Sequence, residues 1–276
     1  MRVHSLGSGS GGNAIVLESD RQRIMVDAGF GVRALAARLK AADVAPSSIS
    51  ALIVTHEHGD HGCGATAAAR RWHWPIYATA GTLSQLGDGR REGGDGRAPG
   101  SRRRAARHVV DTRTELVLDD FSIRFVRAPH DAREHVALVA DVRSTGERVG
   151  VAYDIGHVTE RFVNQFAGLD VLLLESNYDP EMLRTGPYPW PVKQRVAGPK
   201  GHLSNGEAAV MARACVHRGL RHLLLCHLSE TNNRPDIALR ATKSALRGSG
   251  FRGTLRAARQ DELVTLNGVA QMELAL

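Results

Sequence analysis

Between Thr55 and Gly62 the chain reads THEHGDHG, which crowds three histidines, a glutamate and an aspartate into six residues after the apolar run ALIV. In an extended segment, residues two apart point the same way, so His56 and His58 can grip one ion from one side. If the chain then turns into a helix at Gly59–Asp60, Asp60 and His61 swing to a neighbouring position. There they can hold a second ion a few ångströms away, as in two-metal hydrolases. Such a site needs further ligands from the ends of other strands. His130 follows IRFVRAP, Asp154 ends RVGVAY and His227 ends HLLLC. Singly, each also reads as a surface or turn residue; beside HEHGDH they form a coherent ligand set.

The elements that must position these groups follow from periodicity. Arg2–Ser5, Ala14–Glu18 and Arg23–Val26 read as short strands, and Gly31–Ala42 carries a helical stripe of Val32, Leu35, Leu39 and Ala42. Ile49–Val54 is a strand that delivers the histidine cluster, Gly62–His73 an Ala-rich helix, and Pro75 opens another strand. Glu115–Leu118, Ser122–Ala128, His135–Asp141 and Arg148–Tyr153 alternate as a meander. His157–Phe166 reads as a helix, Asp170–Leu174 as a buried strand, Ser204–Val216 as a helix and His222–Cys226 as a strand. Arg234–Leu246 is a last long helix before weak strands near Thr254 and Leu263. Runs of strands followed by strand–helix alternation fit a four-layer αββα sandwich better than a doubly wound sheet. Gly7–Asn13, GSGSGGN, lies between two strands, so it is a tight turn and not a phosphate-binding loop.

With 276 residues, 42% hydrophobic and 24% charged, the chain suits a globular protein with a sizeable core. No apolar run is long enough to cross a bilayer, and the N-terminus has no signal-peptide core, so a cytoplasmic protein with no membrane partner is expected. Cys63, Cys215 and Cys226 form no CxxC pattern and are expected to be reduced. Cys63 lies near His61 but is expected to be a buried, inert thiol. The net charge is +7, and residues 87–108, GDGRREGGDGRAPGSRRRAARH, contribute seven arginines against three acids. That stretch reads as a mobile surface insertion, either a tether for a nucleic-acid backbone or a solvated loop.

HEHGDH matches the HxHxDH signature of the metallo-β-lactamase superfamily, and VDAG at Val26–Gly29 is similar to its strand-ending aspartate motif. More narrowly, the sequence resembles the small bacterial hydrolases of that superfamily called YycJ or WalJ. The matching strings are SLGSGSGGN, THEHGDH, APHDA, YDIG, LLLESNYD, GPYPWPVKQRVAG, GHLSNGEAA and LCHLSETNN. The resemblance implies the metallo-β-lactamase fold in a single domain over 1–276, with two divalent ions, zinc or manganese. It implies His56, His58 and His130 on one ion, Asp60, His61 and His227 on the other, and Asp154 bridging. Asp60 would also orient the nucleophile. DIG stands where the family usually has DTG, and His135 stands where a proline is expected and could compete with His130.

GHLSN and LLLES are similar to elements of tRNase Z-like phosphodiesterases. That likeness implies His202 as the general acid for the leaving oxygen and Glu175 as its orienting partner. Only 72 residues lie between Asp154 and His227, too few for the inserted second domain of the ribonuclease J branch. Tyr178–Lys200 would form a lid bearing Tyr188, Trp190, Lys193, Arg195 and Lys200, unless PYPWP is simply a rigid surface turn. The activity so implied is a metal-dependent phosphodiesterase on nucleic acid, chiefly a DNA exonuclease. A small-molecule ester or cyclic-phosphodiester hydrolase, and a non-hydrolytic metal-binding or redox protein, are the alternatives.

Overall fold

Along Phe121–Arg127 the side chains alternate, with Phe121, Ile123 and Phe125 buried and their neighbours partly exposed. Val171–Glu175 is instead buried at every position, as a strand covered on both faces must be. Both strands lie inside one sheet, the first a single strand from its edge, in a computed structural model that describes residues 1–87 and 104–268.

The chain begins with antiparallel strands β1 (Arg2–Gly7), β2 (Ala14–Glu18) and β3 (Arg23–Val26), and α1 (Val32–Ala41) crosses to β4 (Ile49–Ile53). Helices α2 (Gly59–Gly62) and α3 (Ala65–Trp72) lead to β5 (Ile76–Ala78), and α4 (Ala80–Gln85) precedes β6 (Arg107–Val109). An antiparallel meander follows: β7 (Leu116–Val117), β8 (Phe121–Arg127), β9 (Val136–Val142) and β10 (Arg148–Ala152). Then come α5 (Glu160–Gln165), β11 (Val171–Glu175), α6 (Pro180–Thr185), α7 (Trp190–Val196), α8 (Asn205–Ala214), β12 (His222–Cys226), α9 (Pro235–Ala245), β13 (Thr254–Ala257) and β14 (Val264–Asn267).

Two seven-stranded sheets result, ordered β14-β1-β2-β3-β4-β5-β6 and β13-β12-β11-β10-β9-β8-β7. Val3, Ile15, Val26 and Ile53 of the first sheet pack on Phe121, Leu138, Val151 and Leu173 of the second. On the outer faces, Leu35, Leu39 and Ala68 cover the first sheet, and Phe162, Phe166, Ala208 and Met211 cover the second. This is the expected αββα sandwich.

Several boundaries differ from the sequence reading. The helix expected over Gly62–His73 is the shorter α3, and His61 sits in the separate one-turn helix α2 before it, at the turn expected at Gly59–Asp60. The helix expected from His157 starts at Glu160, where the Thr159 side chain accepts from the Phe162 N–H and fixes its start. Helices α4, α6 and α7 stand where no helix is anticipated, because six or seven residues carry too little periodicity. PYPWP is therefore no mere surface turn: Trp190 and Pro191 open α7. The basic stretch 87–108 is in part ordered, since Arg107 and His108 belong to β6 and His108 stacks on Tyr77 at 4.8 Å. Its residues 88–103 lie outside the described residues, so the expected loop there stays an expectation.

Candidate metal centre

Strands β8, β10, β11 and β12 run the same way in the second sheet, and each of them, like β4 of the first, ends within three residues of a singled-out side chain. Ligands in open α/β sheets gather at such carboxyl ends. Asp27, Asp154 and His227 follow their strands with φ of 61°, 51° and 55°. This left-handed backbone carries a cost that a non-glycine residue bears only when its surroundings enforce it.

His56, His58 and His130 offer nitrogens within 4.8 Å of one another, and so do the ligand atoms of Asp60, His61, Asp154 and His227. His58 Nδ1 and His130 Nε2 are 3.2 Å apart. In the second group Asp60 Oδ2 is 3.0 Å from His227 Nε2 and 3.5 Å from His61 Nε2. One atom reaches both groups: Asp154 Oδ2 lies 3.2 Å from His56 Nε2 and 2.9 Å from His61 Nε2.

A divalent ion in each group suits these donors. His56 Nε2 and Asp154 Oδ1 are buried without a hydrogen bond of acceptable geometry. Burial and the neighbouring His61 push the His56 pKa down to about 3, leaving a neutral imidazole. Burial raises the Asp60 pKa, but the hydrogen bond from His227 and the charge of His61 hold it at about 2. Neutral imidazole beside ionised carboxylate is the donor state that zinc and manganese both take.

A third grouping joins His202 and Glu175 to Asp154 and His227. His202 Nδ1 donates to Glu175 Oε1 at 2.7 Å and lies 3.1 Å from Asp154 Oδ1. The other Glu175 oxygen accepts from the backbone N–H of Ile155 at 2.7 Å and of Leu203 at 3.3 Å. Both oxygens of Glu175 are thus engaged, which suits an orienting carboxylate better than a metal ligand. Burial lowers the His202 pKa, yet Glu175 and Asp154 push it up to about 10.

Behind the candidate ligands stand residues that the sequence reading does not single out as site residues. Asp27 Oδ2 accepts from His61 Nδ1 at 2.7 Å, and Asp27 Oδ1 accepts from Thr55 N at 2.8 Å. The Thr55 hydroxyl touches both Asp27 and, at 3.1 Å, His56 Nδ1. Hydrogen bonds of this kind fix which ring nitrogen faces a metal. His130 Nδ1 donates to Gly201 O at 3.0 Å, and Asn177 Nδ2 donates to His227 O at 2.9 Å. The glycine-rich turn is no phosphate cradle: Ser8 Oγ accepts from His227 N, and Asn13 N donates to Asp60 O. A Cβ on Gly29 would lie 1.8 Å from Asp60 O, so this glycine lets the turn approach the short helix α2. These partners fall inside strings that carry the resemblance, such as VDAG, THEHGDH and LLLESNYD, but nothing local in the sequence says what they touch.

His135 is buried beside His56 but donates from Nε2 to Tyr153 O at 2.8 Å, and it stands outside both ligand groups. Cys63 is exposed, contrary to the expected burial, because it caps the solvent end of α2. The Ile155 of DIG sends its side chain into the apolar layer under α8. In the expected lid, Trp190 is exposed, Lys193 Nζ donates to Arg184 O, and Arg195 Nε bonds Asp131 Oδ2. Asp131 Oδ1 in turn lies 3.3 Å from His130 Nε2 and 3.6 Å from His58 Nε2. No helix among the described residues is long and apolar enough to cross a membrane.

Residues 22–228 match the family model described as a beta-lactamase superfamily domain. The chain is 31% identical over 246 residues to exodeoxyribonuclease YycJ of Bacillus anthracis, covering 89% of each protein. It is 29% identical over 235 residues to exodeoxyribonuclease WalJ of Streptococcus pneumoniae, covering 84% of this chain and 83% of that one. Among solved structures, the metallo-beta-lactamase fold protein YhfI of Bacillus subtilis superimposes with a TM-score of 0.70 over 96% of this chain and 98% of that one, at 18% identity.

Proposed function

The chain belongs to the beta-lactamase superfamily and is a metal-dependent hydrolase; from that premise we propose that it is a dinuclear phosphodiesterase that degrades nucleic acid, acting as a DNA exonuclease. In this reading His56, His58 and His130 hold one divalent ion, zinc or manganese. Asp60, His61 and His227 would hold a second, with Asp154 common to both groups. When bound, such ions supply Lewis acidity to a phosphoryl oxygen and lower the pKa of water. Asp60 would also orient the nucleophile.

The observation that carries the phosphodiesterase reading is His202. Its Nδ1–H is held by Glu175, so Nε2 is left to protonate a departing oxygen. An alkoxide such as a deoxyribose hydroxyl needs that proton, and a positioned acid accelerates its departure by roughly 100- to 10,000-fold. The relatives named exodeoxyribonuclease support DNA as the substrate class.

Elemental analysis beside digestion of end-labelled single- and double-stranded DNA and RNA tests the proposal. Two ions per chain and stepwise shortening of DNA from one terminus are expected. A protein carrying both ions that leaves every nucleic acid intact would refute it.

A further inference from the structure

A cleft of about 490 Å³ opens between the carboxyl end of β8 and helix α5. Its size lies in the range of sites that hold a nucleotide-sized ligand. Arg127, His157 and Arg161 stand at its rim, and Phe125, Pro129 and Phe162 are among the residues that line it.

Two features tie this cleft to the metal centre. Pro129 precedes His130, and His157 lies three residues beyond Asp154, so the cleft is walled by the same two loops that carry those ligands. A backbone hydrogen bond from Gly156 N to Pro129 O, 2.7 Å long, clamps the two loops together. The cleft and the metal centre thus share both loops.

The rim charges are available. Arg161 is exposed and has no carboxylate partner among the described residues. Arg127 is exposed and only loosely paired, with Nη1 3.7 Å from Glu134 Oε1. His157 is exposed and uses Nδ1 toward Pro199 O at 3.4 Å, which leaves Nε2 open. No aspartate or glutamate lines the cleft. Exposed guanidinium groups over apolar walls suit a backbone of phosphodiesters whose sugars lie against those walls.

We infer that this cleft binds the backbone of a polynucleotide strand, one or more phosphodiesters away from the bond that is cut. The inference rests on the phosphodiesterase reading above and assigns its substrate class as a polymer, not a small cyclic or activated ester. Arg127 and Arg161 contact non-scissile phosphates, and His157 contributes a hydrogen bond at the same rim.

The test uses the metal-loaded protein and a fluorescein-labelled phosphorothioate oligonucleotide that resists cleavage, in DNA and RNA forms. Binding is followed by anisotropy across a salt series for the wild type, the R127Q/R161Q variant and the R127K/R161K variant. Metal content and thermal melting establish that each variant is folded. Loss of two phosphate contacts from a single strand should reduce the slope of log affinity against log salt by about 1.4. Affinity at low salt should fall roughly tenfold or more in the glutamine variant. The lysine variant, which keeps both charges, should recover most of the slope.

A glutamine variant with the wild-type slope, from a wild type that digests DNA, would overturn the cleft and leave the nuclease reading standing. A wild type that digests no strand, but binds one through these arginines, would keep the cleft and sink the nuclease reading. A wild type that binds no polynucleotide would overturn both.

Discussion

Asp27→Asn should separate metal affinity from folding, because one buried carboxylate governs both histidine groups. Asp27 is fully buried and receives Thr55 N at 2.8 Å and His61 Nδ1 at 2.7 Å. An asparagine has the same shape, tolerates the left-handed backbone, and keeps an acceptor for Thr55 N–H. Its amide nitrogen would face His61 Nδ1 and donate to it. The imidazole would then carry its proton on Nε2, the nitrogen 2.9 Å from Asp154 Oδ2 and aimed into the ligand group. A protonated nitrogen cannot bind a metal.

The same switch propagates through Thr55, whose hydroxyl lies 2.9 Å from Asp27 Oδ2 and 3.1 Å from His56 Nδ1. If the amide donates to that hydroxyl, the hydroxyl donates onward, and the His56 proton also moves to Nε2. Loss of such a supporting hydrogen bond weakens metal affinity roughly 10- to 100-fold, equivalent to about 1.4–2.7 kcal/mol. The ion at Asp60, His61 and His227 should be weakened most. Titration against a chromophoric chelator resolves the two binding constants, and melting in excess chelator reports the metal-free fold. Expected are a weakened pair of constants and a metal-free melting temperature close to wild type. Wild-type affinity at both sites would refute the role given to Asp27.

Two further expectations follow from the same geometry. His202→Ala should keep both metals while slowing DNA hydrolysis by roughly 100- to 10,000-fold, with a smaller loss on p-nitrophenyl phosphodiesters, whose leaving group departs unaided; equal losses on both substrates would make His202 structural. At Glu18, burial raises the pKa, but hydrogen bonds from Arg23 and His4 bring it below 4.5. Its contribution is therefore present above the unfolded value of 4.5 and lost as pH falls through the lower folded value. The stability gap between wild type and Glu18→Gln, measured by urea denaturation, should shrink as pH drops below 4.5; a constant gap would show that Glu18 gains nothing from these partners.

The side chains that gather into the candidate metal groups could be anticipated from the sequence because their cues are local. HEHGDH is one continuous string, and His130, Asp154 and His227 each follow an apolar strand closely enough to be placed at its end. The supporting groups were not readable in the same way. Asp27 meets His61 across 34 positions and Asn177 meets His227 across 50, so no spacing rule connects them. Helix α7 escaped for a different reason: Pro189 and Pro191 suggest a turn, yet a proline within the first helical positions costs nothing because the N–H there is unpaired anyway. The burial of His135 was equally hidden, since its partner is a main-chain oxygen that could be any residue's.

The left-handed turns at Asp154 and His227 have a consequence for how such a chain changes over generations. Each holds a side chain in a backbone shape that glycine adopts freely and that costs other residues roughly 1–2 kcal/mol. On the backbone term alone, drift to glycine would relax the chain at both places while erasing a carboxylate and an imidazole. A lineage screened only for durability under heat would feel that pull constantly. Where the acid and the imidazole persist in spite of it, they record a history of selection for what the chain does to its substrate.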